Sequence, residues 1–154
     1  MPTREHPVDA PPLGATTAAL ERLGAKDGVT LGRMPRSDLL VTLALASLCL
    51  PTERRVSEAE VNAALKTWLH TTGSMLRIDH VELRRTLIDF GLWERDGFGR
   101  AYGRAPAVAD AALAAHLAHL AAVDAPRIVA EQRARRSAER AERKARATAR
   151  AQAG

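Results

Sequence analysis

The chain is poor in aromatic residues and in cysteine, and both shortages limit what it can be. Only 3% of its 154 residues are aromatic, so its core must be small and mostly aliphatic. A single cysteine, Cys49, excludes a disulfide framework and favours a reducing compartment. Because residues 43–50 around it are mostly apolar, we expect Cys49 to be a small core residue rather than a reactive thiol.

Long hydrophobic runs are missing as well. The longest one, residues 39–50, is too short to cross a bilayer and is interrupted by Thr42 and Ser47. The N-terminus lacks the basic-then-apolar pattern of a signal peptide. We therefore expect a cytoplasmic protein with no membrane partner.

The positive charge of the chain is concentrated at one end. Residues 1–126 contain 14 Lys/Arg and 15 Asp/Glu, a balance of −1, whereas residues 127–154 contain 9 Lys/Arg and 3 Asp/Glu, a balance of +6. The net charge of +5 therefore originates in the C-terminal segment, and the remainder of the chain is close to neutral.

Changes in composition divide the chain into four predicted parts. Residues 1–15 are rich in proline and glycine and poor in large apolar groups, so they are expected to be disordered. Residues 16–104 are predicted to form a winged-helix-like domain, with a short lead-in helix capped by Gly24. Residues 105–126 are predicted to be an alanine-rich helix. Residues 127–154 are predicted to be a basic tail, helical or disordered, with nothing to pack against.

Three helices are predicted ahead of the hairpin. The first follows Pro35 and is stopped by Pro51. The other two open with capping boxes, in which Ser57 or Asp79 is followed three residues later by a glutamate that reaches back. The last helix has an apolar stripe centred on Leu87. The predicted helices cover residues 35–50, 58–69 and 80–90.

A hairpin is predicted after the last of these helices, which ends at Gly91. Residues 92–95 and 100–104 are expected to be two short strands, joined by Asp96-Gly97-Phe98-Gly99 with its glycines at positive φ. The predicted fold class is mostly α, with a winged helix-turn-helix core of three helices plus a small β-hairpin, an additional C-terminal helix and a basic tail.

Two motifs within this core are distinctive. One is Ser57-Glu58-x-Glu60-Val61-Asn62, and the other is Leu83-Arg84-Arg85-x-Leu87-Ile88-Asp89-Phe90-Gly91-Leu92. Together with Pro35 and with Arg95-Asp96-Gly97…Tyr102, they make the segment 34–104 resemble domain of unknown function 2087, a family of uncharacterised prokaryotic domains. The resemblance implies a winged-helix-like fold found in transcriptional regulators, and it implies no established activity.

The second helix of a helix-turn-helix enters the DNA major groove in typical complexes. At 100° per residue, the face opposite the core stripe has a net charge of −1. Because lysine and arginine neutralise phosphates, this face is a weak DNA-binding surface, and Arg85 is its one candidate contact. The outward residues of this helix are Glu82, Arg85, Thr86 and Asp89.

The hairpin and the tail supply the other candidate contacts. Arg95, Arg100 and Arg104 lie where a wing would meet a phosphate backbone, although ordinary solvated charges would look the same. No aromatic residue interleaves the tail cations, so any binding there would be electrostatic and indifferent to sequence. A solvating helical extension is the alternative for the tail. Its candidate nucleic-acid-binding residues are Arg133, Arg135, Arg136, Arg140, Arg143, Lys144, Arg146 and Arg150.

Residues suited to catalysis or to metal binding are sparse. His116 and His119, spaced i, i+3 on a helix, form half of a metal site at most, and no cysteine or carboxylate cluster accompanies them. No nucleophile with a base, no phosphate loop and no paired carboxylates occur in a suitable context. We therefore expect a protein that is not an enzyme and that has no metal and no cofactor.

Two functions remain. The preferred hypothesis is a nucleic-acid-binding accessory or transcriptional regulatory protein, in which the winged helix docks and the basic tail grips phosphates. The alternative is a protein–protein interaction or assembly module, with a protein partner or a second copy of the chain. Salt separates the two, since only phosphate binding must weaken steeply with salt. The core of residues 35–104 is further expected to fold alone and to bury Trp68 and Trp93.

Overall fold

The computed structural model describes residues 10–98 and 100–154. Across these residues the chain has six α-helices and a three-stranded antiparallel sheet, which confirms the predicted mostly α fold. Residues 1–9, part of the segment predicted to be disordered, lie outside the described residues. The elements are α1 (Leu13–Gly24), α2 (Arg36–Ser47), β1 (Val56–Ser57), α3 (Glu58–His70), α4 (His80–Asp89), β2 (Trp93–Arg95), β3 (Ala101–Arg104), α5 (Ala111–Ala121) and α6 (Ala125–Gln152).

The sheet contains one strand that the sequence did not indicate. This strand, β1, is two residues long and pairs with β3, placing Val56 opposite Tyr102. The other edge of β3 pairs with β2, placing Trp93 opposite Arg104, so the strand order is β1-β3-β2. Helix α2, strand β1, helices α3 and α4, and strands β2 and β3 thus follow one another in the order of the predicted winged helix-turn-helix core.

Both predicted N-caps are present. The Ser57 hydroxyl accepts the backbone N–H of Glu60 at 3.2 Å, and the Asp79 carboxylate accepts that of Glu82 at 2.8 Å. The expected return bonds from the glutamates are not found among the described residues, and the Glu60 carboxylate instead accepts a hydrogen bond from Arg54 at 3.1 Å. The single-sided caps satisfy free backbone donors at the first turns and start α3 and α4 where predicted.

Gly91 ends α4 as predicted, with φ at +74°. Its N–H donates to the Ile88 carbonyl and the Leu92 N–H donates to the Leu87 carbonyl, both at 3.0 Å. This is a Schellman motif, in which glycine tolerates the left-handed backbone. The reversal directs the chain into β2, where the buried Trp93 indole donates to the Ser47 carbonyl at 3.1 Å.

The turn of the hairpin differs from the prediction. Gly97 does not have positive φ, and Gly99 lies outside the described residues. The turn is held instead by Asp96, whose carboxylate accepts the Arg100 N–H at 2.8 Å and whose N–H donates to the Ala101 carbonyl at 2.9 Å. The backbone N–H of Arg100 lowers the pKa of the Asp96 carboxyl most, and the backbone N–H groups of Ala101 and Phe98 lower it further.

The hydrophobic core extends well beyond the predicted domain of residues 16–104. Helix α2 is buried on nearly its whole circumference, from Leu40 to Ser47, as expected for a helix that is apolar all round. Helices α1 and α5 pack against it. Leu113 of α5 and Val129 of α6 belong to the same buried cluster as Leu87. Residues on both sides of the predicted boundary at 104 thus share one core.

Candidate nucleic-acid interface

The start of α6 is docked on the domain, so the interpretation of residues 127–154 as a tail with nothing to pack against is wrong for its first turns. Pro126 lies in the first turn of α6 instead of only interrupting a helix, and Asp124 caps it by accepting the Arg127 N–H at 3.2 Å. Ala125 and Val129 are buried. Helix α6 packs against α1, which itself begins at Leu13, three residues before its predicted start.

Gly24 is a point of close approach between α1 and α6. A Cβ atom at this position would lie 2.6 Å from both the Val129 carbonyl oxygen and Gln132 Cβ. The prediction that Gly24 caps α1 is wrong, since Gly24 is the last residue of the helix and Ala25 is its C-cap. The residue is instead a contact point, because any larger side chain there would push the two helices apart.

Arg133 fastens α6 to the C-terminal end of α3. Its guanidinium donates to the carbonyl oxygens of Thr71 and Thr72, both at 3.1 Å, at the end of α3. Among the candidate nucleic-acid contacts on α6, Arg133 is the one whose side chain donates hydrogen bonds to another part of the domain within the described residues. A cation at the C-terminus of a helix also interacts favourably with the helix dipole.

Beyond Arg133 every described side chain of α6 is exposed. Two i, i+4 ion pairs form on α6, Arg127–Glu131 at 2.8 Å and Glu142–Arg146 at 3.7 Å. Within the described residues, none of the remaining cations past Arg133 takes part in an ion pair. These are Arg135, Arg136, Arg140, Arg143, Lys144 and Arg150.

The outward face of α4 has the predicted residues. Leu83 and Leu87 are buried, whereas Glu82, Arg85 and Asp89 are exposed. In the part of the chain that the structure describes, Arg85 forms no ion pair, although Asp89 lies one turn away on the same face. The net charge of this face is therefore −1, and Arg85 is its single cation.

Arg84, next to Arg85, has a structural role that the sequence did not reveal. Its guanidinium donates to Glu58 at 2.9 Å and to Asn62 at 2.7 Å, both on α3, and lies 5.7 Å from the centre of the Tyr102 ring on β3. Arg84 thus links α3, α4 and the sheet through charge-assisted bonds and a cation–π contact. Helical periodicity already placed Arg85 on the outward face, but the motif did not reveal which residues of α3 and β3 Arg84 would contact.

The hairpin presents its arginines to solvent. Arg95 and Arg100 are exposed and Arg104 is half-buried, and no ion pair among residues 10–98 and 100–154 includes any of the three. Phe98 beside them is 86% exposed. The structure therefore places three cations on the hairpin, separated from those on α6.

A cleft of about 200 Å³ lies between α6, the loop after α1 and the turn before α4. From α6 it is lined by Arg133, Arg136 and Arg140, and from the domain by Lys26 and Ser74. The sequence did not indicate Lys26 or Ser74, because they are distant from the basic segment along the chain. The structure thus brings a fourth cation to the arginines of α6.

Lys26 is held in position by a buried carboxylate. Asp38 on α2 accepts hydrogen bonds from Lys26 at 2.8 Å and from Arg22 at 2.7 Å. Burial alone would raise the pKa of Asp38, but the bonds from Arg22 and Lys26 outweigh it and the pKa is lowered. The bond to Asp38 therefore fixes the position of the Lys26 ammonium at the edge of the cleft.

His116 and His119 are joined by a hydroxyl group. Thr16 Oγ1 lies 2.7 Å from His116 Nδ1 and 2.8 Å from His119 Nδ1. A hydroxyl has one hydrogen and two acceptor lone pairs, so it donates to at most one of the two imidazoles, and at least one ring carries its hydrogen on Nδ1. The Nδ1 atoms that a metal half-site would offer are engaged with α1.

We expect stability to fall as the pH is lowered from about 7.5 to about 5.5. Burial lowers the pKa of His116, the neighbouring His119 lowers it further, and Asp110 opposes them. A folded-state pKa below the unfolded value of about 6.5 means that the unfolded chain takes up the proton first, so stability is complete above that value and is lost below it. Urea denaturation across this range should show the decline, and His116→Gln should flatten it. An undiminished pH dependence in that variant would contradict the assignment.

Three further features limit the chemistry of the described residues. Burial raises the pKa of the Cys49 thiol to about 11, so this half-buried group is a poor nucleophile. No cluster of three or more His, Cys, Asp or Glu side chains within residues 10–98 and 100–154 is placed to hold a metal ion. Among the helices of that part of the chain, none combines the length and the apolar character needed to cross a membrane.

The segment from the turn before α2 to the end of β3 is the part of the chain that comparison with known proteins identifies. No curated protein and no solved structure matches the chain. Residues 30–104 match the model of a family described as uncharacterized protein conserved in bacteria (DUF2087), the same family that the motifs of this segment resemble.

Proposed function

We propose that this is a nucleic-acid-binding accessory or transcriptional regulatory protein that is not an enzyme, and that α6 provides its main grip on phosphates. The supporting observation is that the first turns of α6 are docked on the domain, while the rest of the helix is exposed and rich in cations. Val129 and Arg133 hold the first turns of α6 on the domain. Its remaining residues extend into solvent with most of their cations unpaired.

A docked helix suits phosphate binding better than a flexible tail would. Its 28 residues span about 42 Å at 1.5 Å per residue. The cations past Arg133 are therefore carried on a scaffold that is already ordered, and less conformational entropy is lost on binding. Each cation that neutralises a phosphate releases a counterion, which supplies affinity without sequence preference.

The winged helix has a secondary part in this proposal. The outward face of α4 has a balance of −1 and offers phosphates only Arg85, so α4 does not supply the main affinity. The hairpin arginines, Arg95, Arg100 and Arg104, add contacts at a second point on the domain. The resemblance to domains found in transcriptional regulators favours a regulatory setting.

The alternative function is a protein–protein interaction or assembly module. One observation favours it, namely that the outward face of α4 combines Glu82 and Asp89 with Arg85, a mixed pattern more typical of a protein interface than of a phosphate site. Such an interface would depend little on salt, in contrast to phosphate binding.

Deleting residues 138–154 is expected to weaken binding to DNA and RNA of every sequence alike. The deletion keeps the docked turns and removes Arg140, Arg143, Lys144, Arg146 and Arg150. Because each cation that contacts a phosphate adds about 0.9 to the slope of log affinity against log salt, the slope should fall by up to about 4.5. Fluorescence anisotropy with a labelled oligonucleotide in a salt series measures both quantities.

Two results would count against the proposal. Equal affinity and equal salt slope for the full chain and the shortened chain would show that α6 is not the grip. Absence of binding by the full chain even at low salt would exclude nucleic acid as the partner, and the interaction-module function would take its place.

A further inference from the structure

The cations of α6 lie mostly on one face. Successive residues of an α-helix are rotated by about 100°, so each position can be referred to Val129, the buried anchor. Six of the nine cations of residues 127–154 fall within about 60° of Val129. We call this the inner face, and its cations are Arg133, Arg136, Arg140, Arg143, Lys144 and Arg150.

The opposite, outer face contains the acids. All three glutamates of residues 127–154 lie more than about 75° from Val129. Both ion pairs of α6 are on this side, Arg127–Glu131 at 2.8 Å and Arg146–Glu142 at 3.7 Å. The outer face is thus neutral, with Arg127, Arg135 and Arg146 against Glu131, Glu139 and Glu142, while the inner face has six cations and no acid.

The inner face is the side of α6 that faces the domain. Val129 is buried in the core and Arg133 reaches the carbonyls of Thr71 and Thr72. One and two turns later, Arg136 and Arg140 line the 200 Å³ cleft opposite Lys26 and Ser74. The first three cations of the inner face, Arg133, Arg136 and Arg140, therefore line the gap between the helix and the body of the protein.

We propose that this cleft and the inner face beyond it form the binding site for the phosphodiester backbone of a nucleic acid. The site rests on the proposed function and specifies where the phosphates lie. Arg136 and Arg140 supply charge from one wall. On the other wall Lys26 is paired with the buried Asp38, but Lys26 and Arg22 together outweigh this one carboxylate and leave a net positive charge there. The Ser74 and Ser137 hydroxyls, which also line the cleft, are further donors.

The chemistry of the lining selects the backbone and not the bases. No aromatic side chain lines the cleft, so bases have no surface on which to stack. Asp27 is the one acid among the lining residues, and it is outnumbered by the cations. The inner-face cations past the cleft, Arg143, Lys144 and Arg150, continue the same strip and would contact phosphates farther along the strand.

Two triple variants of the full chain test the site. R136Q/R140Q/R143Q removes three charges from the inner face, and the control R127Q/R135Q/R146Q removes three from the outer face of the same helix. The control also frees two glutamates from their ion pairs, which increases repulsion of phosphates. If the control still loses less affinity than the inner-face variant, the difference must come from the position of the charges. Circular dichroism and thermal melting confirm that both variants keep the fold.

Binding of a labelled duplex and of its single strand is measured across a salt series. The inner-face variant is expected to lose about twentyfold or more in affinity at about 100 mM salt and to reduce the salt slope by about 2.7. The outer-face variant is expected to lose less than about threefold at the same salt.

Equal losses of affinity in the two variants would contradict the assignment of the cleft as the binding site. The proposed function would remain, since net charge alone would then explain binding. No binding by the unaltered chain would overturn both. Binding to vesicles of phosphatidylglycerol, with none to either oligonucleotide, would overturn the phosphodiester assignment and point to a lipid surface.

Discussion

A fragment of residues 35–104 is expected to lose cooperative folding, although it contains both family motifs and both buried tryptophans, Trp68 and Trp93. The shared core argues against the expectation that residues 35–104 fold alone. Without α1, α5 and α6, one side of α2 faces water, and the fragment lacks Leu20, Leu23, Leu113 and Val129 from the shared core.

The size of the effect follows from these missing contacts. Burying one leucine or valine side chain stabilises a protein by roughly 1.5–3 kcal/mol, so losing several of them approaches the whole stability of a typical domain, about 5–15 kcal/mol. Thermal unfolding followed by circular dichroism and tryptophan fluorescence should show a sharp transition for residues 10–137 and none for 35–104. A transition of similar midpoint in both fragments would contradict this expectation.

Leu87→Ala is expected to cost about 2–5 kcal/mol of the free energy of unfolding. Leu87 is completely buried in the shared core. Removing its side chain leaves a cavity between α4 and the residues packed on it. Arg85→Ala on the same helix is the matched control, since this exposed side chain forms no ion pair within the described residues, and its loss should cost less than about 0.5 kcal/mol.

Urea denaturation of the two variants measures the difference. The midpoint should fall strongly for Leu87→Ala and remain close to that of the unaltered chain for Arg85→Ala, with similar slopes for both. Equal midpoints would show that the face assigned to the core is incorrect. A changed slope for Leu87→Ala alone would instead indicate that the compactness of its denatured or native state has changed. The loss of stability would then be taken from the free energy of unfolding extrapolated to water.

Local signals in the sequence predicted much of the secondary structure of residues 35–104. Ser57, Asp79 and Gly91 act through hydrogen bonds to residues within five positions along the chain, so their effect is visible in the sequence. The stripe of Leu83 and Leu87 follows from helical periodicity alone. The basic segment was equally visible as a composition, and its helical form follows from the propensities of alanine, arginine and glutamate.

The position of residues 127–154 on the domain could not be predicted from local sequence signals. Its docking depends on a few small contacts, such as Val129 in the core and Gly24 against α6, between residues more than a hundred positions apart. A glycine that permits close approach has no local signature. The same is true of Thr16 between two histidines and of Arg84 across α3 and β3.

Composition and periodicity alone were thus enough for the helices of the core, their caps, the hairpin and the cationic character of residues 127–154. Tertiary packing decided that α6 is docked, that its cationic side faces the domain, and that Lys26 and Ser74 lie opposite Arg136 and Arg140. The physical reason is the range of the interactions. Caps and amphipathic stripes act over one or two turns, whereas the orientation of a helix is set by whichever distant side chains its few apolar residues can reach.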